Sequence, residues 1–137
     1  MNEQENTKLV QKTYELFKSG DIETLLSIYS DDIVWQLPEM ENVPFGGKRT
    51  GRENVVEFFS LVNDSLENLQ IEPTEFIAQG DKVVVLGHHS WRVKATGREV
   101  SSDFAHVVTV KDGKVTSFHE FMDTADVSRA HTAAQAA

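Results

Sequence analysis

The sequence has 137 residues, a length that suits one domain with one hydrophobic core and one cavity. Its formal net charge of −9 argues against binding to nucleic acid or anionic membranes, since both need clustered Lys and Arg. The absence of cysteine excludes disulfide bonds and thiolate metal sites. The polar, acidic start and the lack of an apolar run of about 20 residues lead us to expect a soluble, cytoplasmic protein.

Helices are predicted in the first half of the chain. Apolar residues at helical spacing follow two possible caps, Asn6 and Thr7, and stop before Gly20, which predicts an amphipathic helix of about three turns. Asp21 can cap a second helix. Thr50 and Glu53 have the spacing of a capping box ahead of another apolar series, which predicts a third helix.

Between the second and third helices the sequence indicates one strand and one loop. Residues 33–37 form a short apolar run that ends at Pro38, which is typical of a strand. Residues 38–51 hold two prolines and three glycines. This composition favours a mobile surface loop beside a site over a packed element.

The second half of the chain has the two-residue period of strands. Pro73 places the first of them at a sheet edge or a bulge, and Asp112-Gly113 predicts a tight hairpin between the last two. The predicted strands are 71–79, 83–94, 100–110 and 115–122. Helices followed by an antiparallel meander indicate an α+β domain, in which helices pack on the concave face of one curved, mostly antiparallel sheet.

One domain accounts for the whole chain, residues 1–137, with its core over about 8–128. The sequence contains no internal repeat and no linker. The Ala-rich end, 129–137, predicts a helix remnant that frays into a flexible tail.

Several motifs of this chain resemble those of a known family. They are Val10-Gln11-Lys12-Thr13-Tyr14, Ser19-Gly20-Asp21, Tyr29 to Trp35, Gly51 with Phe58-Phe59, the Asp-Gly hairpin, and Phe121 to Ala125. Together they resemble the SnoaL-like and ketosteroid-isomerase-like group of the nuclear-transport-factor-like superfamily. The resemblance implies a cystatin-like, cone-shaped α+β barrel with a deep apolar pocket, commonly a homodimer. This group includes isomerases, cyclases, epoxide hydrolases, dehydratases and proteins without chemistry, so the fold alone does not decide the function.

The steroid isomerases of this group differ from the chain at their most important positions. Their carboxylate base, which precedes the proline of the first strand, corresponds to Leu37, which cannot accept a proton. Their helix-1 tyrosine falls on Thr13, and we expect the neighbouring Tyr14 to point elsewhere on the helix. Their protonated aspartic acid matches His106, which can still make a polar contact to a ligand. The resemblance therefore implies a polar pocket without the isomerase base.

Limonene epoxide hydrolases offer a second comparison. Their final strand ends in an aspartate that activates water, and this position matches Asp123. The Arg and Asp of their middle strand have no equivalent between Gly87 and Arg92. This resemblance implies at most a water that is activated by Asp123 or by a histidine.

Strand alternation, oriented by the same resemblance, selects the residues that line the pocket. It gathers His89, His106 and Glu120 beside an apolar wall formed by Phe17, Trp35, Phe58, Phe59 and Trp91. Burial would raise the pKa of this Glu and lower that of the His residues, which suits acid–base chemistry near neutral pH. A slip of one residue in the last strand would instead turn inward Ser117, His119, Phe121 and Asp123.

Each candidate also has a purely structural interpretation. His106 could be a hydrogen-bonded core histidine, Glu120 could form a salt bridge at a dimer interface, and Asp123 could cap the helix that follows it. His-x-His and Glu-x-x-His spacings are absent from the sequence. We therefore expect no metal site and no cofactor.

Two functions remain open. The first is an enzyme that transfers protons on a hydrophobic small molecule, as an isomerase, cyclase, dehydratase or hydrolase, with His106, Asp123 and Glu120 as its acids and bases. The predicted ligand-binding residues are Thr13, Phe17, Trp35, Leu37, Phe58, Phe59, His89, Trp91, Phe118 and Met122. This function predicts a cavity of roughly 300 Å³ or more.

The second function is a ligand-binding or dimerisation module without chemistry. It predicts polar side chains that satisfy one another and a narrow pocket closed by Trp35, Trp91 and Phe104. For both functions we expect two partners, a small hydrophobic molecule and a second copy of the chain bound through the outer face of the sheet. We expect no nucleic acid and no membrane partner.

Overall fold

The computed structural model describes residues 2–132 of the chain. In chain order, the elements are α1 (Glu3–Ser19), α2 (Ile22–Ile28), β1 (Tyr29–Leu37), β2 (Gly47–Thr50), α3 (Arg52–Ser65), β3 (Leu66–Gln79), β4 (Lys82–Val93), β5 (Glu99–Lys111), β6 (Lys114–Met122) and α4 (Thr124–His131). The predicted α+β class is therefore confirmed. Within the described residues, no helix is both long enough and apolar enough to cross a membrane.

The six strands form one sheet in the order β2-β1-β6-β5-β4-β3. Neighbouring strands run antiparallel except β1 and β6, which are parallel. β1 and β6 are far apart in the chain, because β2, α3 and the strands β3 to β5 lie between them. A connection of this length allows β6 to lie parallel to β1. β3 lies at the edge of the sheet, and its register shifts between Pro73 and Glu75, as the proline predicted.

The core forms where the helices pack on one face of the sheet. Each helix contributes a residue that is at most 1% exposed: Val10 of α1, Leu25 of α2 and Val55 of α3. On β4, buried residues alternate with more exposed ones from Val83 to Val93. This alternation separates an inner face, which carries His89, from an outer face, which carries His88.

Three predicted boundaries are corrected by the structure. Helix α1 starts at Glu3 rather than near Asn6, because Asn2 caps it by accepting a hydrogen bond from the backbone N–H of Glu5. Strand β1 starts at Tyr29 rather than at residue 33, since the polar residues before it still pair with the sheet. Helix α3 is preceded by Gly51, whose lack of a side chain means that the predicted capping box does not form.

The predicted mobile loop 38–51 is in part a packed element. Its residues 47–50 form β2, which pairs with β1, and the buried side chains of Val43 and Phe45 belong to the core. Ala130 and His131, which were predicted to belong to a flexible tail, are instead buried in α4. The remainder of that tail, residues 133–137, lies outside the described residues.

Candidate functional site

Three buried polar side chains meet on the inner face of the sheet, as strand alternation predicted. His89 lies on β4, His106 on β5 and Glu120 on β6, and each is at most 9% exposed. The carboxylate Oε2 of Glu120 lies 3.0 Å from Nε2 of His106 and 3.5 Å from Nδ1 of His89. One carboxylate oxygen therefore faces two imidazoles inside the core.

This cluster continues in both directions as a chain of polar contacts. The phenol oxygen of Tyr14, on α1, lies 2.6 Å from Nδ1 of His106. At the other end, Oγ of Ser102 lies 3.3 Å from Nε2 of His89. These contacts therefore link helix α1 to three strands through the core, in the order Tyr14–His106–Glu120–His89–Ser102.

The position of the proton on the His106 ring follows from the contacts of its two nitrogen atoms. Burial, and then the charge of Glu120, raise the pKa of Tyr14 well above its usual value, so the phenol stays protonated and donates to Nδ1. The ring's own proton then lies on Nε2, on the side of Glu120. Although the two atoms are 3.0 Å apart, this N–H is not aligned with an acceptor among the described residues. The contact between His106 and Glu120 is therefore mainly electrostatic, and its hydrogen-bond geometry is poor.

The ionisation of Glu120 differs from the prediction. Burial by itself would raise its pKa, but the adjacent imidazoles of His106 and His89 outweigh burial and lower the pKa from 4.5 to about 2. Glu120 is thus an anion at neutral pH. The prediction of a raised pKa was wrong, because it counted burial and left out the two imidazoles on the adjoining strands.

Aromatic packing holds the two histidines in place. The ring of Phe104 stacks on His106 at a centroid distance of 4.1 Å and tilts against His89 at 5.4 Å. Phe104 can lie there because its partner across the ladder is Gly87, where an added Cβ would come within 2.6 Å of the phenyl ring. A glycine on β4 therefore helps to orient both imidazoles.

The cluster borders a small space that we call the inner cavity. Its volume is about 80 Å³. Tyr14, His106 and Glu120 contribute polar groups to its wall, as do Thr13 and Tyr29, and the rest is mainly apolar. The complete lining is Thr13, Tyr14, Phe17, Leu25, Tyr29, Trp35, Phe59, Ile71, His106, Val108, Val115, Phe118 and Glu120.

A second cavity of about 50 Å³ lies on the other side of Glu120. It shares Ile71 and Glu120 with the inner cavity and contains His89. The complete lining is Leu37, Phe45, Phe58, Val62, Leu66, Leu69, Ile71, His89, Trp91, Glu120 and Met122. Each imidazole therefore faces its own cavity, and Glu120 faces both.

The structure distributes the ten predicted ligand-binding residues between these two spaces. The inner cavity contains Thr13, Phe17, Trp35, Phe59 and Phe118. The second cavity contains Leu37, Phe58, His89, Trp91 and Met122. A function for these residues stays a prediction, since contact with a cavity does not show that a ligand binds there.

Asp123 lies apart from this cluster. Its carboxylate accepts a hydrogen bond from the backbone N–H of Asp126 and so caps α4, which is the structural interpretation given above. It is exposed and lines neither cavity. The one-residue slip of β6 has not occurred, because Phe121 is 49% exposed while Glu120 is buried.

Tyr14 is the functional candidate that sequence reasoning missed. It was expected to point away from the pocket, yet it lines the inner cavity and contacts His106. Helical spacing could have identified it, because Val10, Tyr14 and Phe17 follow one another at intervals of four and three residues and share a face. Among the described residues, no three His, Asp or Glu side chains are arranged to hold a metal ion.

Comparisons with known proteins agree with this geometry. Residues 10–118 match the model of the SnoaL-like domain. An NTF2-like protein from Burkholderia xenovorans is 32% identical, with 96% of this chain and 99% of that chain covered and a TM-score of 0.87. One from Burkholderia pseudomallei is 30% identical, with coverages of 97% and 100% and a TM-score of 0.87.

A third similar structure comes from a protein that was co-crystallised with a small molecule. It is TerC, co-crystallised with polyporic acid, which is 33% identical, with 92% of this chain and 97% of TerC covered and a TM-score of 0.82. A comparison with curated protein sequences found no significant match. The predicted NTF2-like, cystatin-like and ketosteroid-isomerase-like fold is confirmed.

Proposed function

The chain belongs to the SnoaL-like family, and from this premise and the geometry of its core we propose that it binds a small enolisable carbonyl compound in the inner cavity. In this proposal Glu120 exchanges a proton with the ligand without a cofactor, and His106 donates a hydrogen bond to the carbonyl oxygen of the ligand. Asp123, which caps α4, takes no part.

The proposal depends mainly on one observation, the N–H group on Nε2 of His106. It belongs to a side chain that is 3% exposed, it lies in the wall of the inner cavity, and it has no well-aligned acceptor among the described residues. Buried donors are normally paired, because leaving one unpaired costs about 1–3 kcal/mol. A carbonyl oxygen in the cavity would supply the acceptor that this donor lacks.

The two residues have complementary tasks in the proposed reaction. The Glu120 carboxylate is ionised at neutral pH, although its low pKa makes it a weak base. It takes the proton from the carbon next to the carbonyl, so the C–H bond breaks and its electron pair moves to the carbonyl oxygen. The N–H of His106 stabilises that oxygen as negative charge develops on it. Both imidazole contacts of Glu120 go to Oε2, so Oε1 is the oxygen that receives the proton. Returning the proton to carbon regenerates the ketone and Glu120.

The size of the cavity limits the ligand. The enzyme hypothesis predicted a cavity of roughly 300 Å³ or more, whereas the inner cavity measures about 80 Å³. A compound as small as butanone is therefore the appropriate first substrate. Polyporic acid is the second ligand to test, because TerC was co-crystallised with it.

The test is exchange of the α-hydrogens of butanone in D₂O, followed by proton NMR. We expect His106→Gln and Glu120→Gln each to lower the protein-dependent exchange rate at least tenfold. His88→Gln is the matched control, because this histidine lies on the outer face of the same sheet. Equal exchange in the wild type, in both cavity variants and in the control would contradict proton transfer. Asp123→Asn, which keeps a capping side chain, should leave the rate unchanged.

A non-catalytic ligand-binding module is the second candidate, and two observations favour it. The polar side chains of the core contact one another, and the volume they border is small. This candidate predicts binding of butanone or polyporic acid with no effect of the protein on exchange. Binding measured by ligand-observed NMR, beside the exchange assay, distinguishes the two functions.

We also propose a homodimer through the outer face of the sheet. Two ladder rows on that face are mostly apolar, one through Phe121, Ala105 and Leu86 and one through His119, Val107, Val84 and Ile77. Phe121 and Ile77 are 49% and 52% exposed. The first row ends at Glu75 on β3 and the second, through Gln36, at Lys48 on β2, so these charged groups lie on the two edge strands. The centre of the face is therefore uncharged and can meet a copy of itself without charge repulsion.

Sedimentation velocity tests the proposed dimer. Phe121→Asp should convert a dimer to a monomer, since it places a charge in the centre of the apolar rows. Val56→Asp is the control, because Val56 is 42% exposed on α3, away from this face. A wild-type protein that sediments as a monomer at all concentrations would contradict the dimer.

A further inference from the structure

An open groove on the surface runs along the outside of the helices beside the inner cavity. Its volume is about 670 Å³. It is formed by the end of α1, the start of α2, the outer side of α3 and the start of β3. The complete lining of this outer groove is Phe17, Gly20, Ile22, Val56, Phe59, Ser60, Val62, Asn63, Asp64, Leu66, Glu67, Asn68 and Leu69.

The outer groove and the inner cavity are separated by a wall one side chain thick. Phe17 and Phe59 line both spaces, and their ring centroids are 5.8 Å apart. Both rings are only partly buried, unlike Trp35 behind them. Rotation of either ring about χ1 would connect the groove with the space in front of His106 and Glu120.

The groove also borders the second cavity. Val62, Leu66 and Leu69 line both spaces. The three spaces thus surround one polar cluster, and the groove is much the largest of them. A ligand that exceeds the inner cavity can therefore keep its reacting group at Glu120 while the rest of it lies in the groove.

We propose that the inner cavity and the outer groove are the two halves of one binding site for an elongated molecule. Its head is an enolisable carbonyl group that lies in the inner cavity, and its tail is an uncharged apolar chain that lies in the outer groove between Phe17 and Val56. The identity of the head rests on the function proposed above. The tail rests on the thin wall, formed by Phe17 and Phe59, that the groove shares with the cavity.

The charges around the groove select against an acidic tail. Asp64 and Glu67 line it. Of the cations beside it, Arg92 already pairs with Glu67 at 3.3 Å, and Lys94 already donates to the backbone carbonyl of Asn63 at 3.0 Å. The chain as a whole also carries a net charge of −9. The apolar side chains of Ile22, Val56 and Val62 offer a neutral alkyl chain a surface from which it displaces water.

Two diketones with the same head test the proposal. Pentane-2,4-dione fills the head position alone, and nonane-2,4-dione adds four methylene groups. Each buried methylene contributes about 0.8 kcal/mol, which is roughly a fourfold change in affinity. We therefore expect the longer dione to bind on the order of 100-fold more tightly, as measured by isothermal titration calorimetry.

Variants in the outer groove then test whether the tail of the longer dione binds there. Ser60→Trp fills the outer groove from an exposed position on α3 and should abolish the gain from the tail without weakening pentane-2,4-dione. Val56→Glu is a second variant, which places a charge in the groove. Ser101→Trp, on the outer face of the sheet, is the matched control and should bind both diones as the wild type does.

The outcomes separate this proposal from the function on which it rests. Equal affinity of the wild type for the two diones, or a gain that survives both Ser60→Trp and Val56→Glu, would overturn the groove as the tail site and leave the proposed function intact. A His106→Gln variant that binds pentane-2,4-dione as tightly as the wild type would overturn the head. Failure of both diones to bind would overturn both proposals.

Discussion

His88 and His89 are neighbours on β4 with the same chemical partners on opposite faces of the sheet. On the outer face, Nδ1 of His88 lies 3.0 Å from the carboxylate of Asp103, and its Nε2 lies 2.9 Å from Oγ of Ser101. On the inner face, His89 contacts the carboxylate of Glu120 and the hydroxyl of Ser102. Adjacent residues therefore build two histidine–carboxylate–serine groups.

The two groups differ in their exposure to water. The side chains of His88 and Asp103 are 46% and 92% exposed, whereas those of His89 and Glu120 are 3% and 11% exposed. In water an ion pair contributes little, because the solvent screens it and the side chains lose entropy. In the core the same contact resists disruption, because removing one partner leaves a buried charge. Only the inner group therefore combines a defined geometry with a perturbed carboxylate.

Removing the two carboxylates is the strongest test of this comparison. Glu120→Ala should lower the free energy of unfolding by about 3–5 kcal/mol, because two imidazoles lose their buried anion. Asp103→Ala should change it by less than about 1 kcal/mol. Urea denaturation followed by circular dichroism measures both, and losses of equal size would show that burial does not distinguish the groups.

Acid titration sharpens the comparison at Glu120. Its pKa is about 2 in the folded protein against an ordinary 4.5, so the unfolded chain binds its proton first. The resulting stabilisation is present above about pH 4.5 and is lost as the pH falls towards 2, by on the order of 3 kcal/mol. In Glu120→Gln this part of the pH dependence should disappear. A variant that loses stability in acid as steeply as the wild type would contradict the pairing.

Removing one hydroxyl group that contacts a buried histidine and one that contacts an exposed histidine should show the same difference in stability, with smaller effects. Tyr14→Phe keeps the ring but leaves Nδ1 of His106 without its donor, which should cost about 1–3 kcal/mol of unfolding free energy. Ser101→Ala removes the corresponding contact of His88, which water replaces, so the expected loss is below about 0.5 kcal/mol. Chemical denaturation of the two variants in parallel checks this difference.

The smallest expected effect concerns His131, a buried histidine that forms no ion pair within residues 2–132. Burial lowers its pKa from 6.5, and its Nε2 accepts a hydrogen bond of 3.4 Å from Trp91. The folded protein therefore binds this proton less readily than the unfolded chain, and stability falls as the pH drops below about 6.5. His131→Phe should flatten the melting temperature between pH 7 and 5, and an unchanged slope would contradict this origin.

Local sequence patterns predicted most of the fold. The strand period, the Asp112-Gly113 hairpin and the edge position implied by Pro73 all correspond to observed elements. Errors occurred where an interaction between distant segments decides the structure. β2 is too short and polar to be recognised alone, and it exists because β1 offers it hydrogen-bonding partners.

The candidate site shows the same limit. Alternation placed His89, His106 and Glu120 on inner faces, because side chains on a strand point to opposite sides whatever the neighbouring strands are. It could not reveal that both imidazoles reach one oxygen of Glu120, since that depends on strand order and register. The lowered pKa of Glu120 follows from that contact, so it was not accessible to a reading of β6 alone.

The sequence by itself determined most of the helices and strands and which side of each strand turns inward, because backbone geometry and apolar periodicity act over a few neighbouring residues. Only the tertiary structure decided that Tyr14 reaches His106, that Asp123 caps a helix, and that the inner cavity is small. These features depend on distances between segments that are far apart in the chain, and such distances are set by the packing of helices on the sheet.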